Sequence, residues 1–412
     1  MRFWGITGTN GKTTTTWITA EFINAAKDRK CGYVTTVEVN TGTRQFYTGY
    51  TTPPLKQLKE IFAEMEANGC TDCVMEVSSH AIHQHRTGDT VFSGGVFTNL
   101  SEDHLDYHKT MEAYFDVKLD FARQIAAAHP TTPDMGRRDL PPYVVCLDGG
   151  YGREMFNAVG NLAVNVIGVS AARAKAKGED EQRNLTSSVG LGPSSFDLSG
   201  LQLVGDYNKS NVLCAAALAE AAGVPHEVIQ AVIPALRPRW GRLELVECAS
   251  KAKVYVDFAH TPDGLEKVLT AVRNEMRCQQ SNNPPIEQSN NSLWVVFGAG
   301  GDRDPMKRPL MGEACAKFAD RLVVTSDNPR SEDPLKIIDA ILVGIKRTIE
   351  HSEQSNNVFV EPDRKAAIEY ALREAGEGDV VIIAGKGHET TQEIKGVKHP
   401  FDDREIVRQF AG

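Results

Sequence analysis

Along the first 234 residues, short apolar runs alternate with stretches whose apolar residues recur every three or four positions. This alternation predicts parallel strands covered by helices. The strand-like runs fall at residues 3–7, 33–39, 73–77, 95–99, 143–147 and 162–169, and residues 13–26, 55–67, 111–128 and 210–222 read as helices. Around Arg237-Pro238-Arg239-Trp240-Gly241-Arg242 the pattern restarts, with strands predicted at 243–248, 254–258, 293–297, 321–325, 358–360 and 380–384. The expected fold is α/β: a central domain over residues 1–236 with a mostly parallel sheet, then a smaller Rossmann-like domain over residues 237–412. Residues 129–142, 171–184 and 278–292 are too polar to pack a core and read as surface loops.

Composition narrows the chemistry. With 41% hydrophobic and 24% charged residues the chain has the balance of a soluble globular protein. A formal charge of -9 without any Lys/Arg-rich run argues against nucleic-acid partners and points to small-molecule substrates. No basic segment followed by an apolar one stands at the N-terminus and no run of about 18 apolar residues could span a bilayer, so the expected location is cytoplasmic, without a membrane partner. Among the eight cysteines, Cys70 and Cys73 form a close pair without the second pair or nearby histidines that zinc would want. They are expected to be buried, reduced thiols.

The clearest chemical signal is Gly8-Thr9-Asn10-Gly11-Lys12-Thr13-Thr14, placed between the first strand and the first helix. A glycine turn entering a helix aims backbone N–H groups at phosphate oxygens, a lysine reaches the terminal phosphates, and a threonine hydroxyl can ligate magnesium. The expected ligand is ATP or GTP with Mg²⁺, which makes the central domain a P-loop domain. Ile6 stands where the longer form of the motif has glycine, and an ordinary glycine turn is the alternative. Glu76 ends a strand beside this loop, suited to magnesium or to a plain structural pairing. The segments 79–86 and 99–108 are rich in His and Asp, which invites a zinc-hydrolase reading, although no HExxH pattern is present. Lys118, within the helix predicted at 111–128, would ordinarily be a surface lysine with a buried stem.

Taken in order, GTNGKTT, MEVSSHAIHQHR, TNLSEDHLDYH, Lys118, GDYNKSN, GRLE, DFAHTPD, GGDRDPMKRPLMG, DNPR and AGKGHE resemble the motifs of the Mur ligases, most of all their MurE branch. The resemblance covers essentially the whole chain from Gly5. It implies that residues 8–14 (Gly8, Thr9, Asn10, Gly11, Lys12, Thr13 and Thr14) hold ATP, with Thr13 on one magnesium ion and Glu76 and His104 on a second. It implies that Lys118 is carbamylated by CO₂ to an N6-carboxylysine, an anion able to ligate metal. Asn208, Asn211, Arg242, Asp257 and His260 would bind ATP from the two sides of an interdomain cleft whose closure assembles the site. Lys12, Lys118, His104 and Glu76 would then be the catalytic set.

For the acceptor, a muramoyl-dipeptide, the matching positions are Thr51, Thr52, Ser78, Gln84 and Arg86; Tyr50 departs from the family's frequent asparagine. Arg303, Asp327, Asn328, Pro329, Arg330, Gly385 and Glu389 match the pocket for the incoming amino acid. An arginine at 330 favours meso-diaminopimelate over lysine, because guanidinium pairs with a carboxylate that lysine lacks. The implied reaction is ATP-dependent amide ligation through an acyl phosphate, in peptidoglycan precursor synthesis. The family's N-terminal UDP-gripping domain has no counterpart ahead of Arg2. A start that omits it, a separate UDP-binding chain, and an acceptor without UDP each account for that. Two rival expectations are a noncatalytic scaffold and a folylpolyglutamate-synthetase-type ligase. None of the expected catalytic positions is damaged, and the latter does not account for DNPR together with GKGHE.

Overall fold

The computed structural model describes residues 1–132, 134–171, 196–281, 291–350 and 357–411. The chain forms two compact units, Met1–Leu236 and Arg237–Gly412. In the first, the strands are β1 (Arg2–Thr7), β2 (Cys31–Val34), β3 (Val39–Asn40), β4 (Gln45–Phe46), β5 (Asp72–Glu76), β6 (Phe92–Phe97), β7 (Pro142–Cys146) and β8 (Asn165–Val169). They form one sheet in the order β4-β3-β2-β5-β1-β6-β7-β8. Strands β2, β5, β1, β6, β7 and β8 run parallel, while β3 and β4 fold back antiparallel at the edge.

The helices of this unit are α1 (Lys12–Ala25), α2 (Leu55–Ala67), α3 (Ser79–His83), α4 (Leu105–His108), α5 (Met111–Ala128), α6 (Gly152–Gly160), α7 (Asp206–Ala221) and α8 (His226–Val232). Helix α2 buries Leu58, Ile61, Phe62 and Met65, one face at helical spacing. Thr110 caps α5 by accepting from Ala113 N at 3.2 Å, and the helix buries Tyr114, Lys118, Phe121, Ala122 and Ile125 on one side. Lys118 therefore lies on the core-facing stripe, not on the surface expected of an ordinary lysine.

In the second unit β9 (Glu244–Leu245), β10 (Lys253–Asp257), β11 (Leu293–Phe297), β12 (Arg321–Val324), β13 (Asn357–Val360) and β14 (Val380–Ala384) make a sheet of order β13-β12-β11-β14-β10-β9. All its pairings are parallel except β9 on β10. Helices α9 (Pro262–Ser281), α10 (Lys307–Phe318), α11 (Pro334–Glu350), α12 (Arg364–Glu374) and α13 (Asp403–Gln409) complete the unit, and β15 (Thr391–Ile394) with β16 (Val397–Pro400) forms a hairpin. Strands β11 and β14 are buried at every residue, as central parallel strands covered on both faces must be.

Some predicted elements are corrected. The run at 33–39 breaks because Thr35 Oγ1 accepts from Val37 N (3.2 Å) and Glu38 N (3.0 Å), closing a turn that sends the chain back as β3. The run at 95–99 ends at Phe97, since Thr98 and Asn99 turn to the glycine loop. The run at 243–248 shrinks to Glu244–Leu245: Leu243 takes a φ of 50° and gives its N–H to Asp257, not to a neighbouring strand. Helix α7 begins at Asp206, four residues before the expected start, at Gly205 with φ 95°. Within the loop expected at 129–142, residues 134–139 are exposed and include one short turn of helix, Arg137–Asp139, and Pro142 opens β7. The loops expected at 171–184 and 278–292 fall mainly outside the described residues. Cys70 and Cys73 are free and buried. No helix among the described residues is long and apolar enough to cross a membrane.

At the start of β5, opposite the end that carries Glu76, Asp72 is fully buried. It accepts from Arg29 Nη2 at 2.6 Å, Trp4 Nε1 at 2.9 Å and Thr71 Oγ1 at 2.7 Å. Burial alone would raise its pKa, but the bonds from Arg29, Trp4 and Thr71 outweigh it and hold the carboxyl below the usual range. A carboxyl depressed in the folded state stabilises it above the unfolded pKa of ~3.9 and loses that contribution as pH falls through the folded value. Asp72→Asn should therefore lower the melting temperature near neutrality and flatten its fall on acidification. Thermal unfolding from about pH 3 to pH 7 checks this, and parallel curves for both proteins contradict it.

Candidate functional site

Parallel pairing of β1 with β5 sets Ile6 opposite Glu76, so the loop leaving β1 and the carboxylate ending β5 emerge side by side. Gly11 precedes α1 with φ 83°, and a side chain there would come within 2.3 Å of Asn211 Oδ1. The helix N-terminus has no side-chain cap, so its leading N–H groups face the loop. Asn99 braces the turn. Its carbonyl accepts from Thr9 N at 2.9 Å, its Oδ1 accepts from Asn10 N at 2.9 Å, and its Nδ2 donates to Asn10 O at 3.0 Å. The Thr9 and Asn10 amides are thus committed to the brace. Lys12 Nζ bridges the loop carbonyls of Gly8 (3.0 Å) and Thr9 (2.9 Å).

Thr13 Oγ1 donates to Glu76 Oε1 at 2.7 Å, which brings two expected magnesium ligands into contact. Thr36 adds its N–H to the same oxygen at 2.8 Å. Its hydroxyl lies 3.1 Å from Glu76 Oε2 and 2.9 Å from Thr51 Oγ1. Thr52 Oγ1 donates to the Glu76 carbonyl at 2.9 Å and accepts from Ser78 N at 3.1 Å; Ser78 Oγ in turn caps α3. Arg86 reaches Thr52 O at 3.3 Å and Gln84 Oε1 at 2.9 Å. Thr51, Thr52 and Ser78 therefore lie at the end of β5, and Arg86, bonded to Gln84, reaches it through Thr52. Asn208 and Asn211 lie on α7, joined at 3.3 Å, with Asn211 Oδ1 3.4 Å from Thr15 Oγ1.

His104 takes a left-handed φ of 54° at the start of α4, 3.4 Å from Asp103 Oδ2 and edge-on to His80 at 5.0 Å. His108, held down to about 4 chiefly by burial, stacks on Tyr114 and bonds Ser79 Oγ at 2.9 Å. The Tyr114 hydroxyl is 3.2 Å from Thr9 Oγ1, and Lys118 Nζ sits 4.6 Å from the Tyr114 ring centre. Burial first, and then the neighbouring Lys12 cation, pushes the Lys118 pKa well below that of an ordinary lysine. Burial thus favours the neutral amine of Lys118 over its ammonium form. Among the described residues no group of three or more His, Cys, Asp or Glu is gathered as for a metal ion.

In the second unit, Asp257 ends β10 buried, accepting from Leu243 N (2.6 Å) and Ala259 N (2.7 Å). Arg242 lies over Phe258, 4.4 Å from the ring centre, and His260 Nδ1 is 2.8 Å from Phe258 O. The three residues expected to bind ATP from this unit are thus neighbours. Asp327, Asn328, Pro329 and Arg330 leave β12, and Gly385 and Glu389 leave β14. Gly385 has φ 116°, and a side chain there would meet Asp327 Oδ2 at 2.7 Å. Asn328 Nδ2 donates to Glu389 Oε2 at 2.8 Å. Arg330 Nη1 donates to Gly301 O at 2.6 Å, and Arg303, in the same glycine loop, bonds Asp302 O at 3.2 Å.

Several residues that shape these sites were not picked out from the sequence. Arg364, fully buried, pairs with Asp403 at 2.7 Å and donates to Ser326 O (3.3 Å) and Ala384 O (2.9 Å), tying together the ends of β12 and β14. Lys386 is fully buried beside Asn328 and Glu389. Lys386 had a signal, its place in AGKGHE two residues after the apolar strand 380–384; Arg364, at a helix start, had none.

Two family profiles match the chain: Mur ligase middle domain over residues 6–219, and Mur ligase, glutamate ligase domain over residues 241–387. The UDP-N-acetylmuramoyl-L-alanyl-D-glutamate--2,6-diaminopimelate ligase of Geobacillus kaustophilus is 38% identical over 409 residues, 98% of this chain and 77% of the relative. The enzyme of the same name from Synechococcus elongatus is 39% identical over 417 residues, 99% of this chain and 76% of the relative. A solved structure of a ligase with that name superposes with a TM-score of 0.59 at 30% identity, covering 99% of this chain and 77% of its own.

The Asn99 brace yields a direct test. Asn99→Ala deletes two side-chain hydrogen bonds to the loop, each worth about 1 kcal/mol. Calorimetric titration with ADP should show binding weakened roughly 5- to 30-fold. Unchanged affinity contradicts the assigned role.

Proposed function

The chain belongs to the Mur ligase family, and we propose that it joins meso-diaminopimelate to the D-glutamate of a muramoyl-L-Ala-D-Glu acceptor, using ATP, in peptidoglycan precursor synthesis. The observation that carries this reading is the Thr13–Glu76 contact. It supports the reading by joining the glycine loop to the strand end beside Thr52, and we assign Thr51, Thr52, Ser78, Gln84 and Arg86 to the acceptor. The names of the relatives supply the identity of the two substrates. We place the reaction in the cytoplasm, where ATP is available.

In the proposed chemistry an oxygen of the acceptor carboxylate attacks the γ-phosphorus of ATP, giving an acyl phosphate and ADP. The amine of diaminopimelate then adds to the acyl carbon. The resulting tetrahedral centre expels phosphate, which leaves with the former carboxylate oxygen, and the amine loses a proton. Lys12 is placed to leave its loop carbonyls for the phosphoryl oxygens, where it neutralises charge as it accumulates. No covalent bond to the protein is required.

The hydroxyl of Thr13 and the carboxylate of Glu76, which meet at 2.7 Å, are hard oxygen donors of the type that Mg²⁺ takes. We assign one ion to Thr13 and a second to Glu76, His104 and the carbamate of Lys118. When bound, Mg²⁺ screens the phosphate charges and polarises the transferred group. Burial favours the neutral form of the Lys118 amine, the form that reacts with CO₂ to give an anionic oxygen donor. In the second unit we assign Arg303, Asp327, Asn328, Pro329, Arg330, Gly385 and Glu389 to the amino acid, with Arg330 reading the distal carboxylate. Arg242, Asp257 and His260 go to ATP, with Asn208 and Asn211 of the first unit. UDP on the acceptor would be held by protein outside these residues, on a separate chain if need be; ligation of acceptors with and without UDP distinguishes the cases.

Two outcomes are expected. Incubated with ¹³C-bicarbonate, the protein should show a carbamate carbon signal that Lys118→Ala lacks, and this variant should ligate roughly 10²-fold more slowly or worse. Full activity of Lys118→Ala rules the carbamate out. Assayed by mass spectrometry and phosphate release, the protein should form product with meso-diaminopimelate and not with lysine. Arg330→Ala should raise the KM for diaminopimelate about 10- to 100-fold while leaving that for ATP unchanged. Equal effects on both substrates, or product with lysine alone, overturn the assignment.

A further inference from the structure

Lys386 has no part in the chemistry above, yet it is fully buried. Burying an ammonium is costly unless partners replace its water. Its partners are the residues assigned to the amino acid: Nζ donates to Asn328 Oδ1 at 3.1 Å and to Glu389 Oε2 at 2.9 Å, and lies 3.8 Å from Asp327 Oδ1.

These bonds fix two orientations. Asn328 Oδ1 also accepts from Glu393 N at 2.9 Å, so its carbonyl oxygen is turned to Lys386 and its Nδ2 to Glu389. Both contacts of the Glu389 carboxylate, from Lys386 and from Asn328, fall on Oε2. The carboxylate is therefore pinned through one oxygen, and its other oxygen has a defined direction. A pinned, ionised carboxylate is what an incoming ammonium group requires.

We propose that Lys386 is a positioning residue of the amino-acid pocket: it holds the Glu389 carboxylate and the Asn328 carboxamide so that Glu389 Oε1 receives an ammonium group of the substrate. The proposal rests on the assignment of this pocket under the proposed function. The charged groups acting on Glu389 and its neighbours come from several elements. Lys386 and His388 lie in its own loop, Asp327 in the loop after β12, Arg364 on α12, and Asp403 on α13. Burial would raise the Glu389 pKa, but Lys386, by charge and hydrogen bond, and Asn328 hold it below the ordinary glutamate value. Losing Lys386 should thus raise it, and protonated Glu389 cannot hold an ammonium.

The test compares the full chain with Lys386→Met, Lys386→Arg, Glu389→Gln and the double variant Lys386→Met/Glu389→Gln. Kinetics are measured with meso-diaminopimelate across pH, and folding is checked by thermal unfolding. Lys386→Met should raise the KM for diaminopimelate about tenfold with the KM for ATP unchanged. It should also move the acidic limb of kcat/KM for diaminopimelate upward by about one pH unit, and Lys386→Arg should restore both. In the Glu389→Gln background the lysine substitution should add nothing further. A folded Lys386→Met with an unchanged KM and acidic limb, or an undiminished effect in the double variant, overturns this assignment alone. A Glu389→Gln with an unchanged KM for diaminopimelate overturns the pocket and this assignment with it. Should Lys386→Met not fold, ¹³C titration of the Glu389 carboxyl in the unaltered chain decides. Titration below the ordinary glutamate range, with a shift on adding diaminopimelate, supports the proposal; an ordinary value or no shift overturns it.

Discussion

The parallel register that puts Ile6 opposite Glu76 is the constraint on which the rest depends. Parallel strands deliver their carboxyl ends to one edge of a sheet, and every loop that leaves there can carry polar groups at no cost to the core. The glycine loop follows β1, Glu76 ends β5, and Thr98 and Asn99 follow β6, so three adjacent strands supply the loop, its brace and the carboxylate beside it. A slip of one residue between β1 and β5 would turn Glu76 to the opposite face of the sheet and separate it from Thr13. The remaining oxygens and N–H groups of Glu76 and its neighbours extend the same site through Thr36, Thr51, Thr52 and Ser78.

The second unit solves a similar problem with buried charge. The loops after β12 and β14 meet over Arg364, whose guanidinium pairs with Asp403 and bonds the carbonyls of Ser326 and Ala384. A fully buried ion pair is weak evidence of net stability, since desolvation offsets much of its attraction. Its value here is geometric: two strand ends cannot separate without leaving a buried charge unpaired. Above it, Lys386, Asn328 and Glu389 form a second satisfied polar layer, and Gly385 permits the approach of Asp327 that no other residue would. Rigid support of this kind suits the amino-acid pocket proposed for these loops.

Much of this was legible in the sequence wherever a pattern was local. The helices at 55–67 and 111–128 declare themselves by period, and the strands at 293–297 and 380–384 by unbroken apolar runs. Boundaries drifted where side chains compete with the sheet for backbone groups. Thr35 closes a turn inside an apolar run, Asn99 leaves β6 to brace the loop, and Asp257 diverts the N–H of Leu243. Lys118 could be read as a surface lysine from its type, although its spacing from Tyr114 and Phe121 set it on the buried face. Arg364 and Asp403 are thirty-nine positions apart and meet through tertiary packing, which no short-range pattern encodes.

The central claim, that a carboxylate is activated by phosphoryl transfer before the amine attacks, follows one oxygen atom. The direct measurement is a turnover with the acceptor's reacting D-glutamate carboxylate labelled with ¹⁸O, followed by mass spectrometry of the phosphate, ADP and product amide. The account predicts that one labelled oxygen per turnover appears in inorganic phosphate, because the acyl phosphate expels the former carboxylate oxygen with its phosphorus. Phosphate without label alongside amide formation, or label recovered in AMP, would contradict it.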